Sequence, residues 1–183
     1  MKRIPSITLR GKKVVLRPPK PADFGEFVAL MKGSRVAFRG LVRNFHTRKH
    51  FTEFVRRWER DDACSFLICR QEDNVIVGSI GLFNIVRGYA QTAFIGYSIG
   101  APHQRQGFAT EALQLVLCYA FKRLRLHRVE ASIQPHNVPS IALVKRAGFV
   151  LEGFSRRLVK IGGKWRDHQR WAILVEDWRP RRN

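Results

Sequence analysis

Apolar positions along the chain follow two spacings. Leu113, Val116, Leu117, Ala120, Phe121 and Leu124 recur at three- and four-residue steps, the period of a helix with one buried face. They predict a long helix that opens after Gly107 and runs to about Leu126. Phe24, Phe27, Val28 and Met31 do the same over 21–32, with Pro21 at the start and Gly33 just past the end. Phe51, Phe54, Val55 and Trp58 mark a helix over 47–60 with Thr47 as its cap. A short helix is predicted over 139–146, closed by Ala147-Gly148. Runs rich in β-branched residues predict strands at 13–17, 65–69, 75–83, 91–99 and 128–134, and a hairpin of 149–161 with 164–175 turning on Gly162-Gly163. Residues 35–45 read as an irregular basic loop.

This order is strand, two helices, three antiparallel strands, helix, strand, helix, two strands. It predicts one α/β domain over 1–183, with a core of about 13–178 and a basic tail at 179–183. The expected sheet is mixed and twisted, with about six to seven strands flanked by about four helices.

Composition narrows the function. The chain carries 34 Lys and Arg against 14 Asp and Glu, a formal charge of +20. Such a field favours a polyanionic partner: nucleic acid, a phosphate-rich cofactor or an anionic surface. Three cysteines, Cys64, Cys69 and Cys118, lack C-x-x-C spacing and point to reduced thiols in a cytoplasmic protein. No apolar run is long enough to span a bilayer, so no membrane role is expected. His46 and His50 have i,i+4 spacing but no third ligand, and no metal site is expected.

The chemistry centres on Tyr97 to Leu113. A strand ends, a polar loop follows with Gly107 in it, and the long helix begins. Free N–H groups and the positive dipole end of that helix make an anion site in front of it. Gly107 allows close backbone approach, and small Ala109 keeps the first turn open. Neither G-x-G-x-x-G nor G-x-x-x-x-G-K-[ST] is present, which excludes the commonest nucleotide loops. Glu111, in the first helical turn, reads as a partner of the dipole.

Gln104-x-x-Gly107-x-Ala109 opening the central helix resembles the [QR]-x-x-G-x-[GA] pattern of the GCN5-related N-acetyltransferase family. Asn137-x-x-Ser140-x-x-Leu143 and Gly148-Phe149-x-x-Glu152-Gly153 agree with the same family. Three blocks narrow the resemblance to its ribosomal-protein-alanine N-acetyltransferase subgroup: 84–88, 96–100 and 163–168.

The resemblance implies acetyl transfer from acetyl-CoA, as cosubstrate, to an amine. It implies that backbone groups of Gln104, Arg105, Gln106, Gly107, Phe108, Ala109 and Thr110 hold the pyrophosphate. Tyr97, Ser98 and Ile99 would pair with the pantetheine arm like an added strand, and Asn137 would meet its amides. A backbone N–H near Ile99 would stabilise the oxyanion. Ser140, with Tyr97 as the second candidate, would protonate the leaving sulfur. His136, Asp167 and His168 are candidate contacts for the acceptor.

One departure bears on the acceptor. Many relatives carry glutamate where this chain has Phe94, so no carboxylate base is visible on that strand. A protein α-amine, with a pKa of about 7.7–8.0, is partly neutral unaided, whereas a lysine near 10.4 is not. The expected substrate is therefore a protein N-terminus, and the subgroup resemblance implies that of a ribosomal protein, such as the N-terminal alanine of S5, met on the assembling small subunit with rRNA contact. Two alternatives stay open: acetylation of a small amine such as an aminoglycoside or polyamine, and an rRNA-binding assembly factor on the same fold.

Overall fold

The computed structural model describes residues 7–41, 47–57 and 60–179. Trp58, His46 and most of the basic tail lie outside them. The chain builds β1 (Leu9–Arg10), β2 (Val14–Arg17), α1 (Phe24–Gly33), α2 (Arg48–Arg56), β3 (Cys64–Arg70), β4 (Ile76–Val86), β5 (Thr92–Ile99), α3 (Phe108–Cys118), β6 (Arg128–Ile133), α4 (Val138–Ala147), β7 (Val150–Ile161) and β8 (Lys164–Leu174). One eight-stranded sheet has the order β1-β2-β3-β4-β5-β6-β8-β7. The expectation of six to seven strands is corrected by β1. Its two residues, paired with Leu16 and Val15, are too short to show a period.

Two apolar cores flank the sheet. On one face, Val14, Leu16, Phe66, Ile68, Ile80, Leu82, Ala93 and Ile95 pack against Leu113, Val116 and Leu117 of α3 and Val144 of α4. On the other, Phe27 and Met31 of α1 and Phe51 and Phe54 of α2 pack over Leu67, Cys69 and Ile76. Phe27 stacks on Phe54 with centroids 5.6 Å apart. Strand residues alternate between the faces, as a pleat requires. The α1–α2 layer covers the β3–β4 end of its face.

The long helix is shorter than its apolar pattern. Regular α-helix stops at Cys118, and Tyr119–Arg123 form a π-helical turn. Tyr119, Ala120 and Phe121 stay buried through the turn, so hydrophobic spacing alone does not reveal it. Similarly, 21–23 form a 3-10 turn before α1, with Pro21 at its start.

Candidate active site

All neighbouring strand pairs are antiparallel except β5 with β6. That parallel pairing lasts three positions, Thr92↔Arg128 to Phe94↔Glu130. Beyond it the strands part, and the β6-facing edge of 95–99 is left unpaired. An unpaired edge inside a sheet is a template for an extended ligand.

At the far end of β5, a 3-10 turn (Ala101–His103) leads into the loop before α3. Gly107 caps α3 in the left-handed region at φ +87, where glycine carries no steric penalty. Arg105, at φ +61, is left-handed too. Alternating backbone hands turn successive N–H groups into an anion-binding hollow. Among the described residues, the backbone N–H groups of Arg105, Gln106, Gly107, Phe108, Ala109 and Thr110 find no acceptor; the first N–H satisfied in the helix is that of Glu111, on Gly107 O.

The side chains of this loop do other work. Gln104 Nε2 donates to Ile99 O at 3.2 Å, bracing the end of β5. Gln106 Nε2 donates to Pro102 O at 3.0 Å. Phe108 is buried in the α3 core, Ala109 and Thr110 are half-buried, and Arg105 is exposed.

Two residues join this loop in ways that sequence spacing does not show. Lys13 Nζ donates to Gln106 O at 3.2 Å, from 93 positions away. The Glu111 carboxylate accepts the backbone N–H groups of Lys12, Lys13 and Val14 at 2.8, 2.8 and 2.9 Å. Glu111 is thus more than a dipole partner: it clamps the β1–β2 turn to the start of α3. Gly11 makes room for it, since a Cβ there would stand 2.6 Å from the carboxylate carbon.

Across the opening, Tyr97 Oη lies 2.6 Å from Ser140 Oγ. Tyr97 points from β5 toward the α3 face, and Ser140 sits in the first turn of α4. Burial pushes the Tyr97 hydroxyl up to about 12 against the pull of its bond to Ser140, so it keeps its proton at neutral pH. Asn137 caps α4 by accepting Ser140 N–H on its side-chain oxygen at 3.3 Å. Ser140 is therefore not the cap, and its hydroxyl is free to face Tyr97. Pro139 sits in the helix's first turn, where a missing N–H is harmless.

The opposite face of the opening is floored by Phe94, Gly96 and Ser98 of β5, Glu130 and Ser132 of β6, and Arg170 of β8. Phe94 stacks on Phe83 at 5.9 Å, and Arg170 lies 5.6 Å from the Phe94 ring centre. Ser98 Oγ is 3.1 Å from Ser79 Oγ. The carboxylate of Glu130, in register with Phe94, is held by Arg170 at 2.6 Å and Arg128 at 3.2 Å. Glu130 is a neighbour that sequence reasoning missed, because only the β5–β6 register brings it beside Phe94.

His168 is buried and His136 exposed; the charge of one is felt at the other. His168 Nδ1 lies 2.9 Å from Arg166 O, which leaves Nε2 as an acceptor when Nδ1 carries the proton. Burial lowers the His168 pKa, against smaller opposing effects from Arg166 O and Asp167, so the ring is neutral at neutral pH. Asp167 accepts Arg157 N–H at 2.7 Å inside an irregular stretch of the β7–β8 hairpin. That bond gives Asp167 a hairpin role besides any contact with an acceptor. Gln134 Nε2 donates to Gly40 O at 2.7 Å and ties the segment after α1 to the end of β6.

A sheet split at its single parallel pair, with a run of unpaired N–H groups at one lip, has the features that suit a long phosphate-bearing acyl donor. Family membership follows from the sequence: residues 13–150 match the acetyltransferase (GNAT) domain, and the chain belongs to that family as an acetyl-CoA-dependent N-acetyltransferase. It is 41% identical over 177 residues to the probable N-acetyltransferase YjcK of Bacillus subtilis (strain 168), covering 92% of this chain and 98% of that protein. It is 32% identical over 143 residues to the [ribosomal protein uS5]-alanine N-acetyltransferase of Escherichia coli (strain K12), covering 78% and 68%. Among solved structures it is similar to Mycobacterium smegmatis RimJ in complex with CoA-disulfide, with a TM-score of 0.83, 27% identity and coverage of 93% and 87%. No group of three or more His, Cys, Asp or Glu among the described residues is placed to hold a metal. No helix among them is long and apolar enough to cross a membrane.

Proposed function

We propose that this chain acetylates the N-terminal α-amine of a ribosomal protein, with the alanine N-terminus of S5 as the leading acceptor. The observation that carries the α-amine assignment is the floor of the acceptor face. Phe94 occupies the place of a carboxylate base, and the neighbouring Glu130 is engaged by two arginines. A floor whose carboxylate is tied to two arginines suits an amine already partly neutral near pH 8. The ribosomal assignment is supported by the relative named for the S5 alanine and by the RimJ fold.

The residues present fit acetyl-CoA, which supplies an activated acetyl thioester when bound. The six unsatisfied N–H groups of 105–110, backed by the α3 dipole, would hold the pyrophosphate. The open edge of Tyr97, Ser98 and Ile99 would pair with the pantetheine arm, and Asn137 would meet it from across the opening. Ser140 holds a proton at Oγ for the departing sulfur, and Tyr97 fixes and resupplies that proton through the 2.6 Å contact. A backbone N–H near Ile99 would stabilise negative charge on the acetyl oxygen. Neutral His168 on the last hairpin would accept a proton from the acceptor amine, with His136 as a further contact for the acceptor.

Charge supports a meeting on the ribosome. Arg48, Lys49 and Arg56 stand exposed on α2, adding to a net +20. A basic enzyme and a basic ribosomal protein repel, and rRNA relieves that repulsion. The test offers two peptides with acetyl-CoA: the S5 N-terminal peptide, and the same peptide with a blocked N-terminus and a free internal lysine. Acetylation of the first alone supports the assignment. Preference for the lysine peptide, or for aminoglycosides and polyamines over both, overturns it.

A further inference from the structure

Lys13 lies outside every motif that marks the acetyl-donor site, yet it reaches the centre of the loop. Its ammonium is 3.2 Å from Gln106 O and would stand 3.6 Å from a Cβ on Gly107. These two residues sit in the middle of the run of unsatisfied N–H groups at 105–110. The side chain is exposed, so nothing in the protein requires a cation there for packing. Among the described residues its one hydrogen-bond partner is the Gln106 carbonyl oxygen, which leaves two further N–H directions for a ligand.

Glu111 sharpens the point. A carboxylate in the first turn of a helix that receives a phosphate would repel it. Here that carboxylate is spent on the three backbone N–H groups of Lys12, Lys13 and Val14. The same bonds fix the strand turn that aims Lys13 at the loop. The anion is thereby offset by a cation delivered to the ligand's side.

We infer that Lys13 is a pyrophosphate-binding residue for the acetyl donor and that Glu111 is its positioning residue. This rests on the donor lying at the 105–110 loop, as proposed above. Lys13 supplies a point charge to the oxygens that the backbone hollow cradles. Pyrophosphate, rather than the 3′-phosphate of CoA, is its partner, because Nζ stands over Gln106 and Gly107.

Calorimetry with CoA and with dephospho-CoA tests this on the wild type and on K13Q, K13R, E111Q and the K13Q/E111Q double variant. K13Q removes the charge and keeps a hydrogen-bonding group. The expected result is about tenfold weaker binding of both ligands by K13Q, the scale of one charge-assisted hydrogen bond, with K13R close to wild type. E111Q weakens CoA binding in the wild-type background and adds little in the K13Q background. Equal affinity of K13Q and wild type overturns the role of Lys13. A loss by K13Q for CoA that disappears with dephospho-CoA reassigns Lys13 to the 3′-phosphate and overturns the pyrophosphate claim. Additive losses in the double variant overturn the positioning role of Glu111. Failure of the wild type to bind CoA at all overturns instead the placement of the donor, so the two failures are distinguishable.

Discussion

Replacing Ser140 by alanine probes the group proposed to hold the transferable proton. Ser140 Oγ has one protein partner across the opening, Tyr97 Oη at 2.6 Å. General acid–base catalysis contributes roughly 10²–10⁴-fold. The departing thiol has an ordinary pKa of about 8.5 and needs only modest help, which places the loss near the lower end. Ser140→Ala should therefore lower kcat about 100-fold, or about 2.7 kcal/mol, at 1.36 kcal/mol per tenfold. KM for acetyl-CoA should change little, because the cradle at 105–110 and the open strand edge are untouched. Tyr97→Phe removes only the far half of the pair and should cost about 1 kcal/mol, or roughly fivefold. Since Tyr97 acts through Ser140, the double variant should be no slower than Ser140→Ala alone. Steady-state release of free thiol from acetyl-CoA measures all three variants, with thermal melts as a fold control. A folded Ser140→Ala enzyme with kcat within about twofold of wild type refutes the assignment.

Other expectations follow from the same geometry. Gly107→Ala places a Cβ in ordinary contact with Lys13 but holds φ at +87; about 1–2 kcal/mol of strain is expected, read as a lower Tm together with weaker CoA binding. Glu111→Ala orphans three backbone N–H groups, one of them on the buried Val14, and should destabilise the chain by about 2 kcal/mol in denaturant melts, a larger loss than Glu111→Asp gives if the shorter acid keeps part of the clamp. The buried His168 has its pKa lowered, so the unfolded chain binds its proton first. Its contribution to stability is complete above the unfolded value of about 6.5 and is lost as pH falls through that value toward the folded one; His168→Gln should flatten this fall in pH-dependent melts.

Most of the fold was legible because burial is periodic. The stripe that begins at Leu113 and the Phe24–Met31 stripe led to α3 and α1, and glycines at 107 and 148 marked the start of α3 and the end of α4. Two residues of β1 carried no readable pattern. The π-turn at 119–123 was invisible because its side chains stay buried whichever helix type carries them. The loop before α3 was legible as a local run, 104–110, with Gly107 at the start of the helix, though the left-handed Arg105 beside it was not. Lys13 and Glu111 were not, because their meeting depends on β2 lying against the start of α3, at sequence separations of 97–99. Glu130 beside Phe94 needed the parallel register of β5 and β6, which no single-strand pattern contains. The pairing of Tyr97 with Ser140 likewise joins positions 43 apart through tertiary packing.

The central claim, acetyl transfer to a protein α-amine, is tested most directly by mass spectrometry of protein N-termini in cells with and without this chain. The N-terminal alanine of ribosomal protein S5 is expected to be acetylated in the first and free in the second, and a Ser140→Ala copy to restore little of the modification. An unchanged set of N-termini, with acetylation lost instead from lysines or small amines, contradicts it.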